Sequence, residues 1–523
     1  MIDPDVYAFI RRTLWDTAEY RLVERLLVQY TSLQFVEDDY TAQAFQFLTA
    51  GFETSSSTMS YTLYQMALNP EIQKRLSSVI REVLKKNNNQ ITYNSIQEMK
   101  YLDMAVSVKD SQNFLDHLTE MSETVDPLFA KGLFVINGQK WRHMRNNLSP
   151  TFTSGKMKQM FYLVDKCAKE LDNYLDSQIS GGAAVEIKEV TAKFTTDVIA
   201  SCALGIDSNS LKDPNAEFRH QLRKVFDFTP IKSLAFYLAF FAPKILKALR
   251  IRIVDSEVYD FVRRTLWDTA KHREQQGIKR RDFLENLVEL KKKNDCETNQ
   301  DSQKANLELV DDDYAAQAFS FLTAGFETSS STISFTLYQM ALNPDIQQRL
   351  SSEIREVLQK NNNQVTYDAI QQMRYLDMVV SETLRLYPIL PFLDRKCTSD
   401  YQVSSGKQTI TIPAGTGIYI PLMGIHYDPE YFPNPEKYDP ERFAENKKES
   451  RPAYTYMPFG EGPRMCIGMR FGLMNTKIGL IHILSRYEVS PCKETPIPLV
   501  LDTKNFLVSS VNGIRLIFKR IQL

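Results

Sequence analysis

Between Asp313 and Asp345 the chain runs through alanine, phenylalanine, leucine and threonine with a single charged side chain, Glu327. Apolar positions on nearly every face over that length predict one long helix buried on most sides. Amphipathic spacing returns after Pro458–Gly472, PFGEGPRMCIGMRFG, which opens a second helix. Strand-like stretches are confined to Lys407–Pro421 and Gly513–Ile521, so the pattern predicts a mainly α molecule with a small β region. The apolar run Leu234–Ala242, LAFYLAFFA, falls short of the roughly 20 residues of a spanning helix but suits contact with a membrane face.

Glu327 is the conspicuous position in the long helix. An unpaired buried carboxylate costs several kcal/mol or shifts its pKa upward. A solvated notch or a hydrogen-bonded structural glutamate is the ordinary alternative. Gly325 and Thr328 favour a site, because a glycine weakens the helix where a hydroxyl and a carboxylate face one spot.

The nine residues AGFETSSST occur twice, as Ala50–Thr58 and Ala324–Thr332. The match extends from Val36–Ser107 to Val310–Ser381 at a constant offset, with about 57 of 72 positions identical. VYAFIRRTLWDTA (Val6–Ala18) also matches VYDFVRRTLWDTA (Val258–Ala270), without the Lys- and Asn-rich linker around Lys279–Asn306. Solenoid repeats are shorter and need about three units, so the pattern reads as residues 1–107 being a partial duplicate of the 255–381 region, an appendage to a core over 108–523. The copies diverge where VSETLRLYP follows the downstream one, placing Val108 and Ser111 where Glu382 and Arg385 stand.

Composition narrows the class. A net charge of -1 over 523 residues gives no basic excess for nucleic acid. Six cysteines (Cys167, Cys202, Cys296, Cys397, Cys466 and Cys492) form no CxxC pair, which argues against a zinc site or a disulfide scaffold and suits a reducing compartment. The N-terminal residues are charged from the third onward, so no signal peptide is expected.

One cysteine stands apart. Phe459, Gly462, Arg464, Cys466 and Gly468 are spaced FxxGxRxCxG ahead of the predicted helix. A cysteine at a helix N-terminus has its thiolate stabilised by the dipole and by free backbone amides, which suits it to hold iron. The glycines let a flat macrocycle approach the backbone, and the arginine can meet a propionate. A lone buried cysteine is more often structural, so the spacing carries the signal. Gly460 and Gly462 do not make a dinucleotide loop, since Met465 occupies the position of the last glycine and no strand precedes it.

With these motifs in order, the chain resembles a cytochrome P-450, a haem-thiolate monooxygenase, and within that superfamily the insect detoxification branch. The resemblance runs from about Val108 to the C-terminus. It places Trp141 and Arg145 of WRHMR on a haem propionate and Ala324, Glu327 and Thr328 in the oxygen-activating groove. Glu382, Arg385 and Arg442 match the ExxR triad, Cys466 the axial ligand, and Arg395 and Arg464 further propionate partners; Phe459 and Gly468 belong to the cofactor loop. Taken singly, Trp141 and Arg145 make a stacked surface pair, and Glu382 and Arg385 an exposed ion pair worth under about 1 kcal/mol.

The resemblance implies a fold of helices around a buried haem. It also implies oxidation of small hydrophobic compounds, xenobiotics or endogenous lipophiles, with O2 and electrons from NADPH. Its partners would be NADPH-cytochrome P-450 reductase and cytochrome b5, at the cytosolic face of the endoplasmic reticulum membrane through peripheral contact. Thr328 and Glu327 would hold water and relay protons. Against the family pattern the expected membrane anchor and first strands are displaced by the upstream copy, which lacks an ExxR pair and a cysteine and so cannot build a second haem site. Two alternatives stay open: a haem-free, inactive fusion with at most a binding role, and a haem-thiolate isomerase or dehydratase, against which Thr328 speaks. Candidate pocket linings are Phe114–Phe129, Phe226–Phe241, the helix face at Phe319, Phe326 and Thr328, Pro388–Leu393 and Phe506–Val508, each with ordinary core packing as its alternative.

Overall fold

The computed structural model describes residues 113–179, 184–227, 229–298, 309–405, 408–448, 451–502 and 505–521. The upstream copy, with Glu53 and Thr54, and the appendage over 1–107 lie outside the described residues.

Helices dominate: α1 (Gly138–Leu148), α2 (Ser154–Ile179), α3 (Ile187–Ile199), α4 (Pro230–Phe241), α5 (Pro243–Leu249), α6 (Asp311–Leu342), α7 (Pro344–Lys360), α8 (Arg374–Leu386) and α9 (Met469–Arg486) carry the argument below. The β content is small and antiparallel. Strands β1 (Val185–Glu186), β7 (Arg515–Arg520) and β6 (Tyr487–Pro491) form one sheet in that order. Strand β2 (Leu393–Lys396) pairs with β5 (Gly417–Ile420), and β3 (Tyr401–Ser405) with β4 (Gln408–Ile412). The strand-like stretch 407–421 is therefore two strands with different partners, broken at Pro413–Thr416 where Pro413 accepts the Thr416 N–H.

Helix α6 is the predicted long helix, 32 residues from Asp311. Three aspartates occupy its first turn, where the helix dipole favours negative charge, and Asp313 accepts the Val310 N–H at 3.0 Å. It ends at Asn343, ahead of the proline that opens α7. Gly325 does not interrupt it. A Cβ there would lie 2.4 Å from Ile199 Cδ1, so the glycine lets α3 cross close by. Gly479 of α9 does the same against Ile333 and Phe194.

Polar contacts stitch α3 to α6 along the crossing. Thr195 donates to the Phe326 carbonyl at 2.9 Å, and Thr191 shares a 2.8 Å bond with Ser334. Each satisfies a buried hydroxyl that would otherwise be costly.

Candidate active site

The cysteine loop is shaped by two left-handed glycines, Gly460 at φ +70 and Gly462 at φ +75. Gly460 donates to the Met457 carbonyl at 2.9 Å, Met465 to Gly462 at 3.0 Å and Cys466 to Phe459 at 2.8 Å. The turns deliver Cys466 two residues ahead of Gly468, the N-cap of α9. Burial pushes its thiol pKa up, while a hydrogen bond from the Gly468 amide and the nearby Arg145 charge pull it down. The residue is nevertheless accessible to solvent. A Cβ built at Gly468 would meet nothing within 4 Å, so space is open beside the loop.

Helix α6 offers a matching opening. From Asp313 to Ala341 it is buried except at Ser320, Thr323, Ala324, Gly325, Glu327 and Thr328, and among these only Ala324 is fully exposed. Thr328 Oγ1 donates to the Ala324 carbonyl at 2.6 Å. Glu327 pairs instead with Lys188 of α3 at 2.7 Å, and the same ammonium donates to Ser330 and Ser331 at 2.7 and 2.8 Å. The hydroxyl and carboxylate, read from the sequence as facing one spot, thus engage different partners. Phe319 and Phe326 point away from the opening into the core, against Tyr259 and Phe226.

The predicted propionate partners separate into two kinds. Arg395 is buried and donates only to the Asp394 carbonyl, at 2.7 Å, among the described residues; burial lowers its pKa. Arg145, also lowered by burial, makes no side-chain hydrogen bond among them. Arg395, buried, and Arg145, half-buried, each lack a bonded carboxylate and so suit an anionic partner. Arg464 differs. Its guanidinium donates to Leu115, Leu133, Ile136 and Asn137 oxygens, pairs with Asp116 at 3.4 Å and lies 4.0 Å over the Trp141 ring. Burial pulls its pKa down to about 9. It braces the loop against residues 115–141.

The charged triad is interior. Glu382 and Arg385 form a two-armed pair at 2.7 and 2.8 Å, both 0% exposed. The remaining Arg385 donors reach the His426 and Pro435 carbonyls. Glu382 also accepts the Asp439 N–H at 2.9 Å, and Arg442 Nε stands 3.3 Å away. The surface-pair alternative is thereby set aside: the Glu382–Arg385 pair is a buried, hydrogen-bonded one, with burial raising the Glu382 pKa against its cationic neighbours.

Three further groups escaped sequence reasoning. Lys188 is the partner of Glu327, His117 pairs with Asp394 at 2.9 Å beside Arg395, and His426 touches both the triad and the cysteine loop. None had a periodic or motif signal.

A haem fits this donor set: an accessible thiol ahead of a helix N-terminus, a glycine-shaped loop, one buried and one half-buried cation without bonded carboxylates, and a polar, partly exposed stretch of α6. Among the described residues no cluster of three or more metal-ligating side chains competes with it. Comparison with known proteins agrees. The sequence profile described as Cytochrome P450 matches residues 7–109 and again 106–517. Cytochrome P450 6j1 of Blattella germanica is 48% identical over 411 residues, covering 79% of each chain. Cytochrome P450 6a2 of Drosophila melanogaster is 43% identical over 419 residues, 80% of this chain and 82% of its own. Cytochrome P450 9e2 of Blattella germanica is 40% identical over 428 residues, 78% and 80% of the two chains.

Proposed function

The chain belongs to the cytochrome P450 family of haem-thiolate monooxygenases, and from that premise we propose that it oxidises small hydrophobic compounds using electrons passed from NADPH by a separate reductase. The observation that carries the reading is Cys466, accessible in the glycine-shaped loop two residues ahead of the N-cap of α9. Haem held there supplies the activation of O2, with thiolate donation favouring O–O cleavage.

The protein's own work is to hold, orient and move protons. Cys466 is the ligand, its charge eased by the Gly468 amide and Arg145. Arg145 and Arg395 neutralise the propionates, Trp141 and Arg464 back them, and Phe459 and Gly468 shape the loop. Thr328 Oγ1 would exchange its bond to the Ala324 carbonyl for one to water, and Glu327, paired to Lys188, would pass on a proton only after taking one up from solvent. The hydroxyl has no such task in an isomerase or dehydratase, which needs no proton delivery to oxygen.

Partner and location follow from surface chemistry. Arg142 and Arg470 are exposed on α1 and α9, the helices flanking Cys466, and suit the acidic face of a reductase or cytochrome b5. On α4 and α5, Ile231, Leu234, Phe241, Ile245 and Leu249 expose a contiguous apolar face, with Ile231 67% and Leu249 57% accessible, beside Lys244, Lys247 and Arg250. Such a face rimmed by cations suits shallow burial in an anionic bilayer, here the cytosolic side of the endoplasmic reticulum. No helix among the described residues is long and apolar enough to cross a membrane. Reconstitution with a reductase, NADPH and isotopically labelled O2 tests the function. Label in a lipophilic product is expected, and NADPH-independent conversion of the same compounds without label would overturn the reading.

A further inference from the structure

His426 ends a short helix, Leu422–His426, that lies between the charged triad and the cysteine loop. It is fully buried, stacked on Tyr456 at 5.4 Å and edge-on to Phe432 at 6.2 Å. Its two ring nitrogens face opposite kinds of group. Nδ1 lies 3.2 Å from the Arg385 carbonyl, and the Met457 N–H lies 3.2 Å from Nε2. A carbonyl can only accept and a backbone amide can only donate, so the partners themselves fix the tautomer, with the proton on Nδ1. A second proton on Nε2 would oppose the Met457 N–H. Burial, helped by the Arg385 and Arg451 charges, accordingly lowers the pKa to about 3, and the ring stays neutral in use.

These bonds complete a continuous path. Arg385, locked to Glu382, donates to the His426 carbonyl at 2.9 Å while the His426 ring returns a bond to the Arg385 carbonyl. The ring then takes the Met457 N–H. Met457 in turn accepts from Gly460, and Phe459 accepts from Cys466. Met457 is the last residue with an amide before Pro458 opens the loop, so the loop is hung from His426 at its entrance.

We infer that His426 is a positioning residue for the axial cysteine: it fastens the entrance of the Cys466 loop to the Glu382–Arg385 pair and thereby sets the pose of the sulfur. The inference rests on Cys466 being the ligand, but its first readout does not. Asparagine in place of His426 keeps a donor near Nδ1 and has no acceptor at the Nε2 position. Glutamine can reach that position with its amide oxygen.

The test is hydrogen–deuterium exchange at the Met457 amide in the full-length holoenzyme, read together with the carbon monoxide spectrum of the reduced protein. In the unmodified chain the amide should be protected like the core. His426→Asn should speed its exchange several-fold to about tenfold, the size of one ordinary hydrogen bond, and move part of the thiolate-type band to the thiol type. His426→Gln should restore both. A Met457 amide that exchanges freely in the unmodified chain overturns the inference, as do Asn and Gln variants that behave alike, or an Asn variant unchanged in either readout. Where His426→Asn does not fold, the unmodified chain and His426→Gln decide. Protection with a thiolate-type band in both supports the strut, and loss of the band in His426→Gln with Met457 still protected contradicts it. Failure of Cys466 as ligand would show separately, as a thiolate-type band that survives Cys466→Ser.

Discussion

The two sides of this molecule are held by different forces. Glu382, Arg385 and His426 are buried, polar and bonded, and the contacts that tie them to one another, to Arg442 and to Met457 lie between 2.7 and 3.3 Å. Around α4 the contacts are aromatic. Phe240 stacks on Phe506 at 4.2 Å, Phe241 on Tyr419 at 5.0 Å, and Phe392 meets both Phe241 and Phe506. There the Tyr419 hydroxyl, donating to the Phe240 carbonyl at 2.8 Å, adds a polar tie. Directional bonds fix one geometry, whereas apolar contacts tolerate rearrangement at small cost. The side of Glu382, Arg385 and His426 is held to one pose, whereas the aromatic side can rearrange.

The sharpest break in that comparison is at the sulfur. Cys466→Ser should abolish the thiolate-type spectrum, while Cys167→Ser, Cys202→Ser, Cys296→Ser, Cys397→Ser and Cys492→Ser keep it. Burial pushes the Cys167 thiol up to about 12 and Cys202 well above its usual range, so neither is poised to ligate. Survival of the band in Cys466→Ser would remove the ligand assignment.

Next comes Arg385→Ala, which leaves Glu382 buried and half-paired. Such a break costs about 3–5 kcal/mol and should appear as a lowered denaturant midpoint with haem loss. A loss below about 1 kcal/mol would mean that the network is not rigid.

Thr328→Ala should leave haem binding intact but reduce product-coupled turnover roughly 10²- to 10⁴-fold, diverting reducing equivalents to hydrogen peroxide. Because residues 1–107 are proposed to stand outside the active core, Thr54→Ala and Glu53→Ala should change neither spectrum nor turnover. Equal damage from the upstream and downstream changes would show that the two copies share one site.

On the aromatic side the effects should be small. Tyr419→Phe removes one hydrogen bond worth about 1 kcal/mol and should alter ligand dissociation rates more than stability. A global loss comparable to that of Arg385→Ala would erase the contrast between the sides.

The weakest expected effect is a pH dependence at the far end of α9. Burial lowers the His482 pKa, but bonds to Asp165 and Asp172 of α2 outweigh it, so the net shift is upward. Its contribution is complete below the unfolded value near 6.5 and is lost as pH rises through the higher folded value. His482→Gln should flatten the fall of stability over that window. An unchanged pH profile would remove His482 as its source.

How much of this could be read from the chain depended on the range of each contact. Helix α6 was legible because a long apolar run with a single charge has to be buried on most of its faces, and Cys466 because five positions share a fixed spacing. The burial of Glu382 and Arg385 was not legible from their spacing, since an (i, i+3) pair looks the same on a surface as in a core. Lys188 meets Glu327 across 139 residues, His117 meets Asp394 across 277, and His426 meets Met457 across 31. No periodicity announces such pairs. Gly325 shows the complementary error: read as a weak point in the helix, it proves to be the contact surface for Ile199.

Cys466, accessible in the loop ahead of α9, is proposed to hold a haem as thiolate. The measurement closest to that proposal is the carbon monoxide difference spectrum of the reduced, purified full-length chain. A thiolate-type Soret band is the predicted result. A purified, folded chain with no haem absorbance, or with haem showing only a thiol- or imidazole-type band, would contradict the account.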